Sequence, residues 1–308
     1  MAIRPERLEA GDTVGVVSVG SPLSREVIDE RIAYLESLGL RVIIGEHTYE
    51  ENGFLAGDDE SRAEDFMNMV VNNDVKMILP VRGGVGVIGM LKYLDYNLIQ
   101  GNPKIVTGYS DVTILLNALY EFANVESLHS LMLIDFKLST PAFNFDRFFT
   151  AVSEVNEPFR VENPPASSMR SLVPGIASGD IIGGNLTSLL GGLGTPYEWD
   201  ARGKILFIEE INDSTGRVYR GLQQLEEAGK LDECEGFLIG RCSRCYPSYE
   251  VSFNQLIESF FTPIGKPTIT NIMSGHGTYK TTIPIGAKVT MNADTLTIET
   301  TRALVTND

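Results

Sequence analysis

The chain has 308 residues, 43% of them hydrophobic and 21% charged, with a formal net charge of −16 at pH 7. That composition suits a soluble globular protein with room for two domains, and the acidic balance excludes nucleic acid as a partner, because binding it needs a clustered basic face. No stretch approaches the roughly 18 uninterrupted apolar residues of a membrane span, and no signal-peptide pattern follows the first charges, so a cytoplasmic protein without membrane contact is expected.

In chain order, "TVGVVSV" (13–19) reads as a short apolar strand, "SREVIDERIAYLESLG" (24–39) as an amphipathic helix closed by Gly39, and "RVIIG" (41–45) as a second strand. The segment "GDDESRAEDFMNMVVNND" (57–74) puts Phe66, Met69 and Val70 on one helical face. Asp58 or Asp59 is its expected N-cap, and its early acidic run is favoured by the helix dipole. The strand "VKMILPV", the loop "RGGVG", a helix and the strand "KIVTG" continue the alternation. Such a series predicts an α/β fold with a doubly wound, mostly parallel sheet, whose ligands gather at the carboxyl ends of the strands. "RGGVG" and "GYSD" both lie at such ends. In "VTGYSDVT" (106–113), Ser110 occupies a strand-to-helix turn, where a serine serves as a helix cap or as an exposed nucleophile; the local pattern leaves both open.

Prolines interrupt residues 137–175, which divides the chain into an N-terminal domain (1–150), a linker (151–174) and a C-terminal domain (175–308). In the last of these, "SGDIIGGNLTSLLGGLGTPY" reads as strand, glycine turn and a helix capped near Asn185. "GKILFIEE" is a strand and "VYRGLQQLEEAG" a helix. "EGFLIGR", "PTITNI", "AKVTM" and "TLTIE" are further strands, the last two flanking a hairpin at "NAD" (292–294). A mixed α/β domain with more antiparallel pairing is expected.

Cys234, Cys242 and Cys245 are too few for a disulfide framework, and the CxxC pair lacks the four ligands of a structural zinc site; they are expected to be buried or incidental thiols. His47, His129 and His276 form no metal pattern, and "GGVG" lacks a full dinucleotide or P-loop signature, so neither metal nor cofactor is expected. The backbone N–H groups of Gly83 and Gly84 can instead approach a reacting centre closely. A serine nucleophile needs a base, usually an imidazole oriented by a carboxylate. His47, in "GEHTYE", is expected to be solvated. His129 fits a core position or the cleft. His276, between two glycines in a loop, suits a base. Along "KILFIEE", Glu209 is in phase with Ile205 and Phe207 while Glu210 is in phase with Leu206 and Ile208, so one carboxylate points to each face of its sheet.

Taken together, Ser110, Glu209 and His276 in that order, with "GDTVGVVSVGSP", "GFLAGDDESRAEDF", "RGGVG", "GYSDVT", "GGNLTSLLGGLGTPYEWDARGKILFIEE", "YRGLQQLEEAGKL" and "SGHGTYKTTIPIGAKVTM", resemble the LD-carboxypeptidase family of serine peptidases over nearly the whole chain. That family includes the microcin C immunity proteins. The resemblance implies a two-domain enzyme with Ser110 as nucleophile, Glu209 as acid and His276 as base. It implies an oxyanion hole from the backbone N–H groups of Gly84 and Asp111, and cytoplasmic peptidoglycan tetrapeptides as substrates, cut before the terminal D-alanine by a homodimer. An acidic, exo-cleaved peptide calls for an arginine near the site, with Arg82 and Arg220 first and Arg241 behind them. Two positions depart from the family pattern: Val85 where many relatives carry an aromatic, and His129-Ser130-Leu131 where many read "HGP". The related immunity proteins cleave a peptide-nucleotide antibiotic, some stacking a tryptophan on its base; Trp199, the one tryptophan here, is expected to be a packing residue. Two other classes stand beside these readings: a non-catalytic cleft-closing binding protein and a nucleotide-dependent enzyme.

Overall fold

The computed structural model describes residues 1–307. Its first half runs β1 (Thr13–Val17), α1 (Arg25–Ser37), β2 (Arg41–Ile44), α2 (Asp59–Val71), β3 (Val75–Pro80), α3 (Val87–Met90), α4 (Tyr96–Gly101), β4 (Ile105–Gly108), α5 (Val112–Ala123), β5 (Ser127–His129) and α6 (Ala142–Ser153). All five residues of β1 are buried, as a strand covered on both faces by helices requires. The α2 helix starts where Asp58 accepts a hydrogen bond from the Ser61 N–H at 2.8 Å.

The second half runs β6 (Arg170–Val173), β7 (Ile176–Asn185), α7 (Leu186–Gly192), β8 (Ile205–Ile211), α8 (Thr215–Glu227), α9 (Lys230–Glu233), β9 (Gly236–Ser243), α10 (Phe253–Ile264), β10 (Thr268–Ile272), β11 (Ile283–Ile285), β12 (Lys288–Asn292) and β13 (Thr297–Thr300). The first sheet has the order β11-β5-β4-β3-β1-β2, parallel except for β11, which returns from the C-terminal half to pair antiparallel with β5. The second has the order β13-β12-β7-β8-β9-β10-β6. Its centre, β7 to β10, is parallel, and the expected antiparallel pairing is confined to the two edges. The chain therefore has a two-domain α/β fold. Among the described residues no helix is long and apolar enough to cross a membrane.

The period-2 pattern of β8 divides the core. Ile205 and Phe207 face a large cluster that also contains β1, β3 and α5 residues, whereas Leu206 and Ile208 join a second cluster beneath α7, α8 and α10. The α5 helix is apolar almost all round, which fits its place between the sheets, against β4, β5 and β7. Buried Asn117 fastens it there: its Nδ2 donates to the Gly183 carbonyl, and the Gly183 N–H donates to its Oδ1, both at 2.9 Å. The residues just before α5 thus hold a fixed place relative to the carboxyl ends of β7 and β8.

Candidate active site

Ser110 sits between β4 and α5 with φ of 62°, a left-handed conformation that an L-residue adopts only when its surroundings impose it. Its side chain does not cap α5, whose N-cap is Asp111. The glycine loop lies directly against it. A Cβ on Gly83 would stand 2.8 Å from Ser110 Cβ and 3.0 Å from the Asp111 N atom. Gly84, at φ +95°, backs onto Ser21, where a Cβ would fall 2.2 Å from the hydroxyl oxygen, so only glycine fits. The Gly84 and Asp111 N–H groups donate no hydrogen bond to other groups among the described residues.

The other half of the site comes from the second sheet. Glu209, buried at the carboxyl end of β8, accepts a hydrogen bond from His276 Nδ1 at 2.9 Å and from Asn185 Nδ2 at 3.3 Å. With a carboxylate as acceptor, Nδ1 carries the hydrogen, leaving Nε2 with a lone pair. Burial pushes the Glu209 carboxyl up, but His276, His129 and Asn185 outweigh it and hold the carboxyl below its usual range. His276 is in the loop after β10. Its neighbour Gly275 (φ +77°) leaves the space Glu209 fills, since a Cβ there would lie 2.4 Å from Oε2. Glu210 points to the opposite face and accepts from the Thr187 N–H at 2.9 Å and its hydroxyl at 2.7 Å, capping α7. Asn185 bridges the two carboxylates, at 2.9 Å from Glu210.

Tyr109, the residue before Ser110, meets the His276 ring edge-on with centroids 5.1 Å apart. Burial keeps its phenol protonated; the hydroxyl donates to Asp135 Oδ1 at 3.3 Å, and Lys280 pairs with the same oxygen at 3.1 Å. The structure thus brings Glu209 to His276, His276 to Tyr109 and the glycine loop to Ser110. No hydrogen bond joins Ser110 Oγ to His276 among the described residues; in substrate-free enzymes such contacts are commonly long.

His129, at the end of β5, is fully buried between Tyr109 and Phe207. The Ser274 hydroxyl donates to the Thr281 carbonyl at 2.8 Å, so it accepts from His129 Nδ1–H at 3.1 Å, while His129 Nε2 has no partner among the described residues. Burial lowers the His129 pKa from 6.5 to about 4. As pH falls below 6.5 the unfolded chain takes up a proton that the folded chain refuses until about pH 4, so stability falls across that window by about 3 kcal/mol from this group. His129→Gln is expected to remove that component: denaturant unfolding at pH 7 and pH 4 should show the wild type losing about 3 kcal/mol more than the variant. Equal losses would contradict a buried neutral imidazole.

The remaining sequence candidates are dispersed. Arg82 is half-buried next to the glycine loop, near enough for its charge to act on Tyr109. Arg220 is exposed on α8, whose buried face is formed by Val218, Gly221, Leu222 and Leu225. Arg241, exposed at the end of β9, donates to Asn271 Oδ1 at 3.0 Å. It lines a 220 Å³ cavity with Ser274, Gly277 and Tyr279 of the His276 loop, and also a groove of about 860 Å³ along β6, β9 and α10. His47 is partly exposed, with Nδ1 bound to the exposed Glu50 at 2.7 Å. Trp199 is a packing residue, 1% exposed, its Nε1–H donating to the Leu189 carbonyl. One cysteine expectation fails. Cys242 and Cys245 are not incidental thiols but form a disulfide, because a turn with Arg244 in the left-handed region brings their Cα atoms to 5.4 Å. Cys234 alone is a buried free thiol.

Sequence reasoning missed Tyr109 against His276, Asp135 and Lys280 beside Tyr109, and Asn185 as a carboxylate partner. Asn185 was legible as a helix cap; the other three meet only through tertiary contacts.

The fold and its two matched halves define the class: this is a peptidase. Residues 14–130 match the model of the LD-carboxypeptidase N-terminal domain and residues 178–291 that of its C-terminal domain, and the chain belongs to the LD-carboxypeptidase family. It is 35% identical to the probable murein peptide carboxypeptidase of Bacillus subtilis over 94% of this chain and 91% of that protein. Among solved structures it is similar to the muramoyltetrapeptide carboxypeptidase of Oxalobacter formigenes (TM-score 0.81, 25% identity, 93% of this chain and 97% of that one). Its fold also matches the microcin C7 self-immunity protein MccF (TM-score 0.90, 22% identity, 99% and 100%).

Proposed function

We propose that the chain is a serine carboxypeptidase that hydrolyses the L,D-peptide bond before the terminal D-alanine of peptidoglycan tetrapeptides in the cytoplasm, as a homodimer. The observation that carries this reading is the His276 Nδ1 to Glu209 Oε2 hydrogen bond of 2.9 Å, set opposite a serine held at φ 62° beside a glycine loop. Relatives of this chain with murein carboxypeptidase names support the substrate class.

In the proposed reaction, Glu209 holds His276 with its Nε2 lone pair toward Ser110. Nε2 takes the Ser110 proton as Oγ bonds to the carbonyl carbon, and the Gly84 and Asp111 N–H groups stabilise the oxyanion. The C–N bond then breaks as His276 passes the proton to the leaving D-alanine amine. Water, deprotonated by His276, attacks the Ser110 ester, releasing the tripeptide carboxylate and restoring the hydroxyl. The arginines are proposed to hold substrate carboxylates against the protein's net charge of −16. Arg82 beside the glycine loop and Arg241 in the His276-loop cavity have the supporting positions; Arg220, on the outer face of α8, has the weakest.

Cleavage of a peptide-nucleotide is the rival substrate, and burial of Trp199 takes away the one indole that could stack on a base. The two are separated by kcat/KM for a muropeptide tetrapeptide against that for an aminoacyl nucleotide. A ratio of at least about 100 in favour of the tetrapeptide is expected, a preference of about 3 kcal/mol. A ratio below one would move the chain to the immunity-type activity.

A further inference from the structure

One peptide group of the glycine loop is held at both ends by side chains, a guanidinium on its carbonyl and a carboxyl on its N–H. Arg62 projects from α2, is 0% exposed, and donates from Nη1 to the Gly86 carbonyl at 3.1 Å and to the Val19 carbonyl, just past β1, at 2.5 Å. Its Nε donates to the Asp58 carbonyl at 3.1 Å, and its Nη2 pairs with the Asp59 carboxylate. On the other side, the Val87 N–H donates to Asp111 Oδ2 at 2.9 Å, and Asp111 Oδ1 accepts from the Ser188 hydroxyl at 3.3 Å. The Gly86 carbonyl and the Val87 N–H belong to the same peptide plane.

Burying a guanidinium is costly, and an apolar side chain of similar volume would fill the space at least as well. What an apolar side chain lacks is the ability to grip carbonyls of two separate loops. Asp111 has a matching asymmetry: its main chain follows Ser110, while its side chain reaches across to the loop that carries Gly84. Between them they tie the two N–H groups assigned to the oxyanion hole to one another, through a peptide plane two residues past Gly84.

We propose that Arg62 and Asp111 are positioning residues, which hold the Gly86–Val87 peptide by its carbonyl and its N–H and thereby keep the Gly84 N–H aimed at the carbonyl oxygen that Ser110 attacks. This rests on the serine acyl-transfer reading above. Neither side chain touches the substrate; both act through the loop.

The test compares Arg62→Met, Asp111→Ala, Asp111→Asn and the Arg62→Met/Asp111→Ala pair with the wild type, using a muropeptide tetrapeptide and hydrogen exchange of residues 82–90. Arg62→Met and Asp111→Ala are each expected to lower kcat about 100-fold with KM within about threefold, the scale of a displaced oxyanion donor. Asp111→Asn, whose amide oxygen still accepts from Val87, should recover to within about tenfold of the wild type, and the pair should be little worse than either single variant, since both act on one peptide. Amides at 82–90 should exchange faster in both variants. A folded Asp111→Ala enzyme with near-wild-type kcat, a loss confined to KM, or Asp111→Asn no better than Asp111→Ala would overturn the proposal. If Arg62→Met does not fold, the two Asp111 variants decide it. Absence of D-alanine release by the wild type would instead sink the parent reading, and unchanged exchange at 82–90 in Asp111→Ala would then sink the clamp independently.

Discussion

Ser110→Ala is expected to lower kcat for D-alanine release by roughly 10⁵- to 10⁶-fold while leaving KM within about threefold. The hydroxyl is the one group removed, so the loss is expected to fall on bond formation rather than on binding. Residual turnover would come from the Gly84 and Asp111 donors acting on direct water attack. The same position predicts an opposite effect on stability. At φ 62° a side chain is strained by about 1–2 kcal/mol, so Ser110→Gly should be equally inactive yet as stable as the wild type or up to about 1 kcal/mol more so. Steady-state kinetics and denaturant unfolding read the two effects separately. Substantial activity in either variant would remove Ser110 from the chemistry.

Glu209→Gln should cost about 10³- to 10⁴-fold in kcat with little change in KM. The glutamate is buried and acts only as an acceptor, from His276 Nδ1 and Asn185 Nδ2. A glutamine offers one acceptor and one donor to two groups that both donate, so either the His276 tautomer inverts or Asn185 loses its 3.3 Å contact with residue 209 and keeps only Glu210. The first outcome takes the lone pair off Nε2, where it is needed. Glu210→Gln is the informative neighbour: its carboxylate faces α7, so a change there should act on stability, through Thr187 and the helix start, and leave kcat within about tenfold. Comparable kcat losses in the two variants would mean that the face alternation of β8 does not separate chemistry from scaffold.

That alternation was readable beforehand, because period 2 is a property of any strand and the apolar residues of "KILFIEE" define which glutamate shares a face with Phe207. The strand-to-helix turn at Ser110 and the glycine-flanked loop of His276 were legible for similar reasons, each being a local conformational signal. Other features were not. The antiparallel return of β11 rests on three residues, "IPI", with a proline inside, and nothing local says which sheet edge it will meet. The α10 helix was overlooked although Ser252 and Gln255 form a capping box at its start. Asp135 and Lys280 meet each other and the Tyr109 ring that packs on His276, and Arg62 stands on an amphipathic helix whose pattern does not say that the glycine loop folds over it. Pairwise tertiary contacts of this kind leave no periodic trace in a single sequence. The family resemblance, by contrast, groups Ser110, Glu209 and His276 through the order of short motifs.

The most direct measurement is stoichiometric: a muropeptide tetrapeptide incubated with the wild type and with Ser110→Ala, with free D-alanine and tripeptide quantified, and the L-alanine epimer of the substrate as control. The wild type should release one D-alanine per tetrapeptide and leave the L-alanine epimer intact, and Ser110→Ala should release none above background. No release from any L,D-linked peptide, or release by Ser110→Ala at the wild-type rate, would contradict serine catalysis of L,D-peptide cleavage by this protein.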